Sequence, residues 1–138
     1  MDHVPQRLSF VTLGTRDMLR RRGFYAAWGW QERDGGDDEF AQFEVSGVRL
    51  ALYPLDLLGQ EAAPGADLPP ATWNGVTLVI NVRSREEVDE VCGAAVGAGA
   101  EPVADPVDRE WGGASAYVAD PEGQRWEIAW LPGFDVGA

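Results

Sequence analysis

The hydrophobic and polar positions of the chain predict the same order of elements twice. In the first half, the apolar, β-branched run Leu8–Leu13 predicts a strand. Asp17 is a good helix N-cap, and the apolar face of Met18–Trp28 predicts the helix that follows. Alternating or apolar runs then predict three strands, at Trp30–Arg33, Phe40–Val45 and Val48–Tyr53.

The second half repeats this order at a period of about 70 residues, which indicates a duplicated module and not a solenoid. A strand is predicted at Gly75–Val82, and Ser84 with Glu87 forms a capping box for a helix. Three strands are predicted after that helix, at Glu101–Val107, Ala114–Ala119 and Gln124–Leu131. Pro102 and Pro106 indicate that the first of these is short or lies at a sheet edge.

The stretch between the two halves is rich in proline. Pro54–Asn74 contains few β-forming residues, and its leucines at 55, 57 and 58 predict one short helical turn. We therefore predict a single domain over residues 1–138. Module one covers about 7–54, a linker about 55–74 and module two about 75–133.

The composition excludes several classes of chemistry. The chain has no lysine, so Schiff-base catalysis is excluded, and its one histidine, His3, precedes the first strand. Cys92 occupies a core-type helical position, and we expect an inert buried thiol. The net charge of −12 disfavours nucleic acid and anionic membranes. This negative charge either keeps the protein solvated or attracts a cationic partner. The basic patch Arg20–Arg22 is expected to form a solvated face of the first helix.

The sequence carries no sign of membrane insertion or export. No apolar run approaches the roughly 20 residues that span a bilayer. The first residues lack the basic-then-apolar order of a signal peptide. We therefore expect a cytoplasmic location, with which a single cysteine agrees.

Two motifs stand out in the sequence. The first is FVTLGTRD at Phe10–Asp17 with the helix end FYAAWGW at Phe24–Trp30. The second is the turn and strand ADPEGQRWEIAW at Ala119–Trp130. Together with the repeated order of elements, they resemble the vicinal oxygen chelate superfamily, which includes glyoxalase I, extradiol dioxygenases, fosfomycin-resistance enzymes and bleomycin-resistance proteins. The resemblance implies an α+β fold in which two βαβββ modules form an open, cup-shaped, eight-stranded sheet. It also implies that the interior of the cup binds a metal or a ligand.

The resemblance places the superfamily's metal ligands on four positions of this chain. These are Phe10, then Arg49 or Ala51, then Thr77, and finally Glu127. Only the glutamate is a usual ligand, and a single carboxylate does not hold a catalytic divalent ion. We therefore expect no metal and no other cofactor, which disfavours glyoxalase, dioxygenase and fosfomycin-transferase chemistry.

Strand alternation predicts which side chains share the interior with Glu127. The expected ligand-binding residues are Phe10, Thr12, Arg49, Tyr53, Thr77, Asn81, Trp111 and Glu127. Several alternatives stay open at this point. Arg49 and Glu127 either contact a ligand or pair with each other, Trp126 and Trp130 either stack on a ligand or fill the core, and Trp73 is either a packing plug or a pocket wall.

The leading hypothesis is a metal-free binding protein of the bleomycin-resistance type, which confers antibiotic resistance by sequestering a cationic or aromatic small molecule. The alternative is a metal-independent, glyoxalase-like lyase or isomerase in which Glu127 is the general acid or base. The resemblance further implies a homodimer.

Overall fold

The computed structural model describes residues 3–137. The chain divides into two compact units between Leu68 and Pro69, a position within the segment expected to be the linker. We call the part up to Leu68 unit 1 and the part from Pro69 unit 2. None of the helices among the described residues has both the length and the apolar character needed to cross a bilayer.

Unit 1 is a three-stranded sheet with two helices. Its elements are β1 (Phe10–Thr15), α1 (Met18–Ala27), β2 (Ala41–Val45), β3 (Val48–Pro54) and α2 (Leu55–Ala62). The strand order is β1-β3-β2, with β1 parallel and β2 antiparallel to β3. Its core combines aromatic residues of α1, such as Phe24 and Tyr25, with Phe43, Leu50 and Leu52 of the sheet.

Unit 2 is a four-stranded sheet with one helix. Its elements are β4 (Thr77–Asn81), α3 (Arg85–Ala98), β5 (Glu101–Asp108), β6 (Ala114–Ala119) and β7 (Arg125–Trp130). The strand order is β4-β7-β6-β5, and only the β4–β7 pair is parallel. The proline-interrupted strand lies at the sheet edge, as predicted, and its pairing with β6 is irregular at two places.

The α+β class is confirmed, with two mixed sheets that contain three and four strands. The segment Trp30–Arg33 is not a full strand, because only an isolated bridge joins Glu32 to Phe43. The cause lies at the end of α1, where Gly29 has a φ of 112° and the Trp30 amide donates to the Tyr25 carbonyl at 2.9 Å. This turn stacks the Trp30 ring on Tyr25 at a centroid distance of 5.4 Å. Trp30 therefore packs in the aromatic core, and the segment does not add a strand to the sheet.

Two further expectations need correction. The linker contains a helix of eight residues, α2, where we predicted a single turn. Of the three arginines expected to form a solvated face, only Arg20 is exposed, because Arg21 is 3% exposed and donates to the Gly14 carbonyl and the Thr15 hydroxyl, both at 3.1 Å. Arg22 forms a two-pronged ion pair with Glu32, at 2.8 and 2.7 Å. The hydrogen bond from Glu32 also raises the pKa of Arg22.

We expect Arg22→Met to lower the free energy of unfolding by about 1 kcal/mol, because it removes a charged hydrogen-bonded pair that is only about a quarter exposed. Denaturant unfolding would measure the change. Arg20→Met is the matched control on the exposed face of the same helix, and it should change stability by less than about 0.5 kcal/mol. Equal losses in the two variants would show that the pair with Glu32 contributes nothing.

Candidate functional site

The sheet of unit 2 has one face covered by α3 and a second face that carries Glu127. Trp126 and Ile128 of β7 are 4% and 0% exposed, and Val118 of β6 is 2% exposed. Because side chains alternate along a strand, the neighbours of these buried residues on β6 and β7 point to the opposite side of the sheet. We call that side the Glu127 face. Its residues are Thr77, Val79, Asn81, Ser115, Tyr117, Arg125, Glu127 and Ala129.

Tyr117 is the neighbour of Glu127 on the adjacent strand. The antiparallel register of β6 and β7 places the two residues directly opposite each other. The pKa of Tyr117 is raised, first by partial burial and then by the negative charge of Glu127 and a hydrogen bond with its carboxylate. A protonated tyrosine beside a half-buried carboxylate gives this face one hydrogen-bond donor and one anion side by side.

Arg109 brings a positive charge to the same face. It begins the tight β5–β6 turn, where its amide donates to the Gly113 carbonyl at 2.8 Å. Its Nε donates to the Ser115 hydroxyl at 2.7 Å, and Ser115 is 1% exposed. The charge of Arg109 also acts on Tyr117, where it opposes the rise in pKa. Because Ser115 precedes Tyr117 by two residues on β6, the bond to Ser115 places Arg109 on the same face as the Tyr117–Glu127 pair.

Arg125 lies at the other end of the Glu127 face, two residues before Glu127 on β7. Its Nη1 donates to the Gly123 carbonyl at 2.9 Å, within the DPEG turn. That turn is held by Asp120, whose carboxylate accepts from the amides of Glu122 and Gln124 at 2.9 and 3.1 Å. The turn thus fixes where β7 begins and where its first basic side chain lies.

Trp111 is in the β5–β6 turn and is 49% exposed. A Cβ added at Gly113 would collide with the Trp111 ring and the Trp130 carbonyl, so the indole packs closely against that glycine. This glycine therefore makes room for the Trp111 ring, about half of whose surface stays exposed. An exposed, supported indole is suited to stacking on a flat or cationic group.

In unit 1, the register brings two of the expected ligand-binding residues together. Phe10 pairs with Arg49, and the Arg49 guanidinium lies 5.7 Å from the centre of the Phe10 ring. Arg49 also forms a salt bridge with Glu44 at 3.4 Å and donates to Gln42 at 3.2 Å. Arg49 therefore has an anionic and a neutral partner within its own sheet.

The other expected residues of unit 1 lie in the same sheet. Thr12 on β1 pairs with Ala51, and Tyr53 on β3 pairs with Gly14. The pKa of Tyr53 is raised, first by desolvation and then by the charge of Glu61 and a hydrogen bond with it. Tyr53 is therefore a neutral hydrogen-bonding group at ordinary pH.

Three of the other aromatic and sulfur side chains are structural. Trp126 is buried in the core under α3. The Trp73 indole donates to the Val76 carbonyl at 3.0 Å, so it supports the chain just before β4. Cys92 is 7% exposed, and burial raises its pKa to about 11, as an inert thiol requires.

The side chains present do not suit the metal that the superfamily resemblance implies. Phe10 offers no lone pair, Arg49 is a cation, and Thr77 offers one neutral hydroxyl. Within residues 3–137, no three His, Cys, Asp or Glu side chains are grouped closely enough to hold an ion. We therefore assign no chemical step to a metal.

Each unit has a shallow groove. One, of about 640 Å³, is in unit 1 where β1 and β3 end, beside Asp17, Leu55 and Leu68. The other, of about 450 Å³, is in unit 2 between α3 and β5, beside Cys92 and Pro106. Neither groove is lined by Glu127 or Trp111, whereas the second is lined in part by Tyr117, the cross-strand neighbour of Glu127.

Sequence reasoning missed four residues of this site, Arg109, Ser115, Tyr117 and Arg125. Tyr117 could have been found from the hairpin, because the DPEG turn sets the register of the last two predicted strands. Arg125 shares the parity of Glu127 and could have been placed on its face. Arg109 lies in a turn, where no periodicity indicates the direction of a side chain.

Comparison with known proteins gives a consistent result. The model of the glyoxalase-like domain family matches residues 10–129. A glyoxalase-related enzyme from Fulvimarina pelagi is 28% identical, with coverage of 97% of this chain and 94% of that one and a TM-score of 0.87. A glyoxalase/bleomycin resistance protein/dioxygenase from Nocardioides is 26% identical, with coverage of 99% and 91% and a TM-score of 0.77.

Lactoylglutathione lyase from Agrobacterium tumefaciens shares the fold at 20% identity, with coverage of 96% of this chain and 100% of that one and a TM-score of 0.70. No curated protein sequence matches this chain.

We expect the gently purified protein to contain far less than one Zn, Ni, Fe or Mn per chain, because its donor set lacks nitrogen and thiolate ligands. Elemental analysis of protein from its own host would measure this. Glu127→Gln is the control, since it removes the one ligand-type residue at the four carried-over positions. About one metal per chain in the wild type, lost in this variant, would contradict the expectation.

Proposed function

This chain belongs to the glyoxalase-like domain family of the vicinal oxygen chelate superfamily, and on that premise we propose that it binds and sequesters a small aromatic molecule with a cationic group, without a resident metal. The observation that carries the proposal is the Tyr117–Glu127 pair on the Glu127 face. A carboxylate that lacks a group of fellow metal ligands is free to bind a cation. The bleomycin resistance proteins, whose name the Nocardioides relative carries, supply the type of function.

Exposed apolar side chains of unit 2 support an aromatic ligand. Trp111 offers a half-exposed indole in the β5–β6 turn, and Val79 opposite Glu127 is 48% exposed. Asn81 and Thr77 add neutral hydrogen-bonding groups on the same strand. Such a mixture of apolar and polar groups is typical of small-molecule sites.

The first test uses two dyes of opposite charge. Thioflavin T, a flat cation, should bind and quench tryptophan fluorescence, while the anion 8-anilinonaphthalene-1-sulfonate should bind more weakly. Glu127→Gln should weaken thioflavin T about ten-fold or more, because a charged hydrogen-bond partner contributes roughly 1.5–3 kcal/mol. Part of the affinity should fall with added salt, since the protein carries a net charge of −12.

Matched variants make that test specific. Glu90→Gln removes the same charge from the exposed surface of α3 and should leave binding almost unchanged. Trp111→Ala should remove much of the quenching and cost on the order of 1 kcal/mol, whereas Trp111→Phe keeps a ring and should cost less. A preference for the anionic dye, with no effect of Glu127→Gln, would overturn the proposal.

A second candidate function is a metal-independent lyase or isomerase, and the adjacency of Tyr117 and Glu127 favours it. A carboxylate and a phenol side by side can accept and donate a proton at neighbouring positions. The distinguishing experiment is mass spectrometry of the small molecule that copurifies from the native host. Sequestration predicts release of an unchanged molecule in stoichiometric amount, whereas catalysis predicts a product that Glu127→Gln no longer forms.

A further inference from the structure

We propose that the ligand of the Glu127 face is a zwitterion, whose anionic group binds Arg109 while its cationic group binds Glu127. The inference rests on the proposed function and adds to it a second charged group and a second recognition residue. Arg109 follows β5 and reaches the face through its bond to Ser115.

Unit 2 contains many more acidic than basic side chains, and its arginines differ in their partners. From Pro69 onward the sequence has twelve carboxylates and only four arginines. Arg85 pairs with Asp89 and Asp108, at 3.2 and 3.1 Å. Arg83, Arg109 and Arg125 bind neutral oxygens instead, on Gly137, Ser115 and Gly123. Of these, Arg109 and Arg125 share the Glu127 face, where they flank a single glutamate and have no carboxylate partner among residues 3–137.

Arg109 is held in place and still has free donors. The turn fixes its backbone, because Gly112 donates to the Arg109 carbonyl at 3.1 Å and Arg109 donates to Gly113 at 2.8 Å. Its Nε is occupied by the buried Ser115 hydroxyl. A guanidinium has five N–H donors, so the four on its terminal nitrogens are left for a ligand. Two terminal N–H groups fit a carboxylate or a phosphate with parallel hydrogen bonds.

The sheet sets the spacing between the two charged groups. Ser115, which anchors Arg109, and Tyr117, which lies opposite Glu127, are two residues apart on one strand. Alternate residues of a strand are about 7 Å apart. A ligand that reaches both groups therefore carries its charges several ångströms apart, as the two ends of a dipeptide do, and not on neighbouring atoms.

The experiment uses three forms of one aromatic dipeptide as competitors of bound thioflavin T. Glycylphenylalanine has both charges, its C-terminal amide has only the positive charge, and its N-acetyl form has only the negative charge. We expect the zwitterion to displace the dye at roughly ten-fold lower concentration than the amide does, because it gains a charge-assisted, two-pronged contact. The N-acetyl form should be the weakest competitor.

Variants assign the gain to Arg109. In Arg109→Met, the zwitterion should displace the dye only at the concentration that the amide needs. The concentration of amide that displaces the dye should stay the same, which also shows that the face remains folded. Arg109→Lys should keep part of the zwitterion's advantage over the amide, since lysine retains the positive charge but cannot form the two parallel hydrogen bonds of a guanidinium. Arg85→Met, on α3 at the other face of the sheet, is the matched control and should leave the ratio of zwitterion to amide unchanged.

The outcomes separate this inference from the proposed function. If thioflavin T binds through Glu127 but the zwitterion and the amide compete equally, the zwitterion inference is wrong and the proposed function stands. Loss of the gain in Arg125→Met and not in Arg109→Met would also overturn the assignment to Arg109. If thioflavin T does not bind the wild type at all, the proposed function itself fails.

Discussion

The burial of Trp126 and Ile128 beneath α3 fixes the chemistry of the second sheet. Each of these side chains contributes about 1.5–3 kcal/mol when it leaves water. Because strand side chains alternate, Glu127 between them must point to the other face. A slip of one residue would bury the carboxylate and expose both apolar side chains, so this register is strongly specified. Tyr117 then follows from the pairing of β6 with β7.

Local signals predicted the elements of the fold well. The Ser84 cap is present, with the Glu87 amide donating to its hydroxyl at 3.1 Å. The return bond of the capping box differs, because the Glu87 carboxylate accepts from the Arg83 amide at 2.8 Å instead of that of Ser84. Such detail depends on the backbone angle at the helix entry, which the sequence motif does not specify. The order of elements and the edge position of β5 needed only periodicity and proline.

Features that depend on distant partners could not be predicted in the same way. The strand expected at Trp30–Arg33 has the right composition, but a helix-ending glycine turns its indole into the aromatic core. Arg22 was expected to be solvated, yet its partner Glu32 is ten residues away across a turn. The bond between Arg109 and Ser115 likewise depends on the shape of a five-residue turn. In each case, tertiary contacts outweigh a weak local preference.

The charge of the whole chain and the charges of the Glu127 face act over different distances. The net charge of −12 attracts cations from afar, but salt screens this attraction beyond about 8 Å at physiological ionic strength. At contact, this face presents two arginines and one glutamate, in the opposite sense to the net charge. A simple anion would be repelled during approach, and a simple cation would leave Arg109 without a partner. The zwitterion that we propose suits both the long-range field and the contact surface, so the proposal follows from the local arrangement of charges and not from the composition.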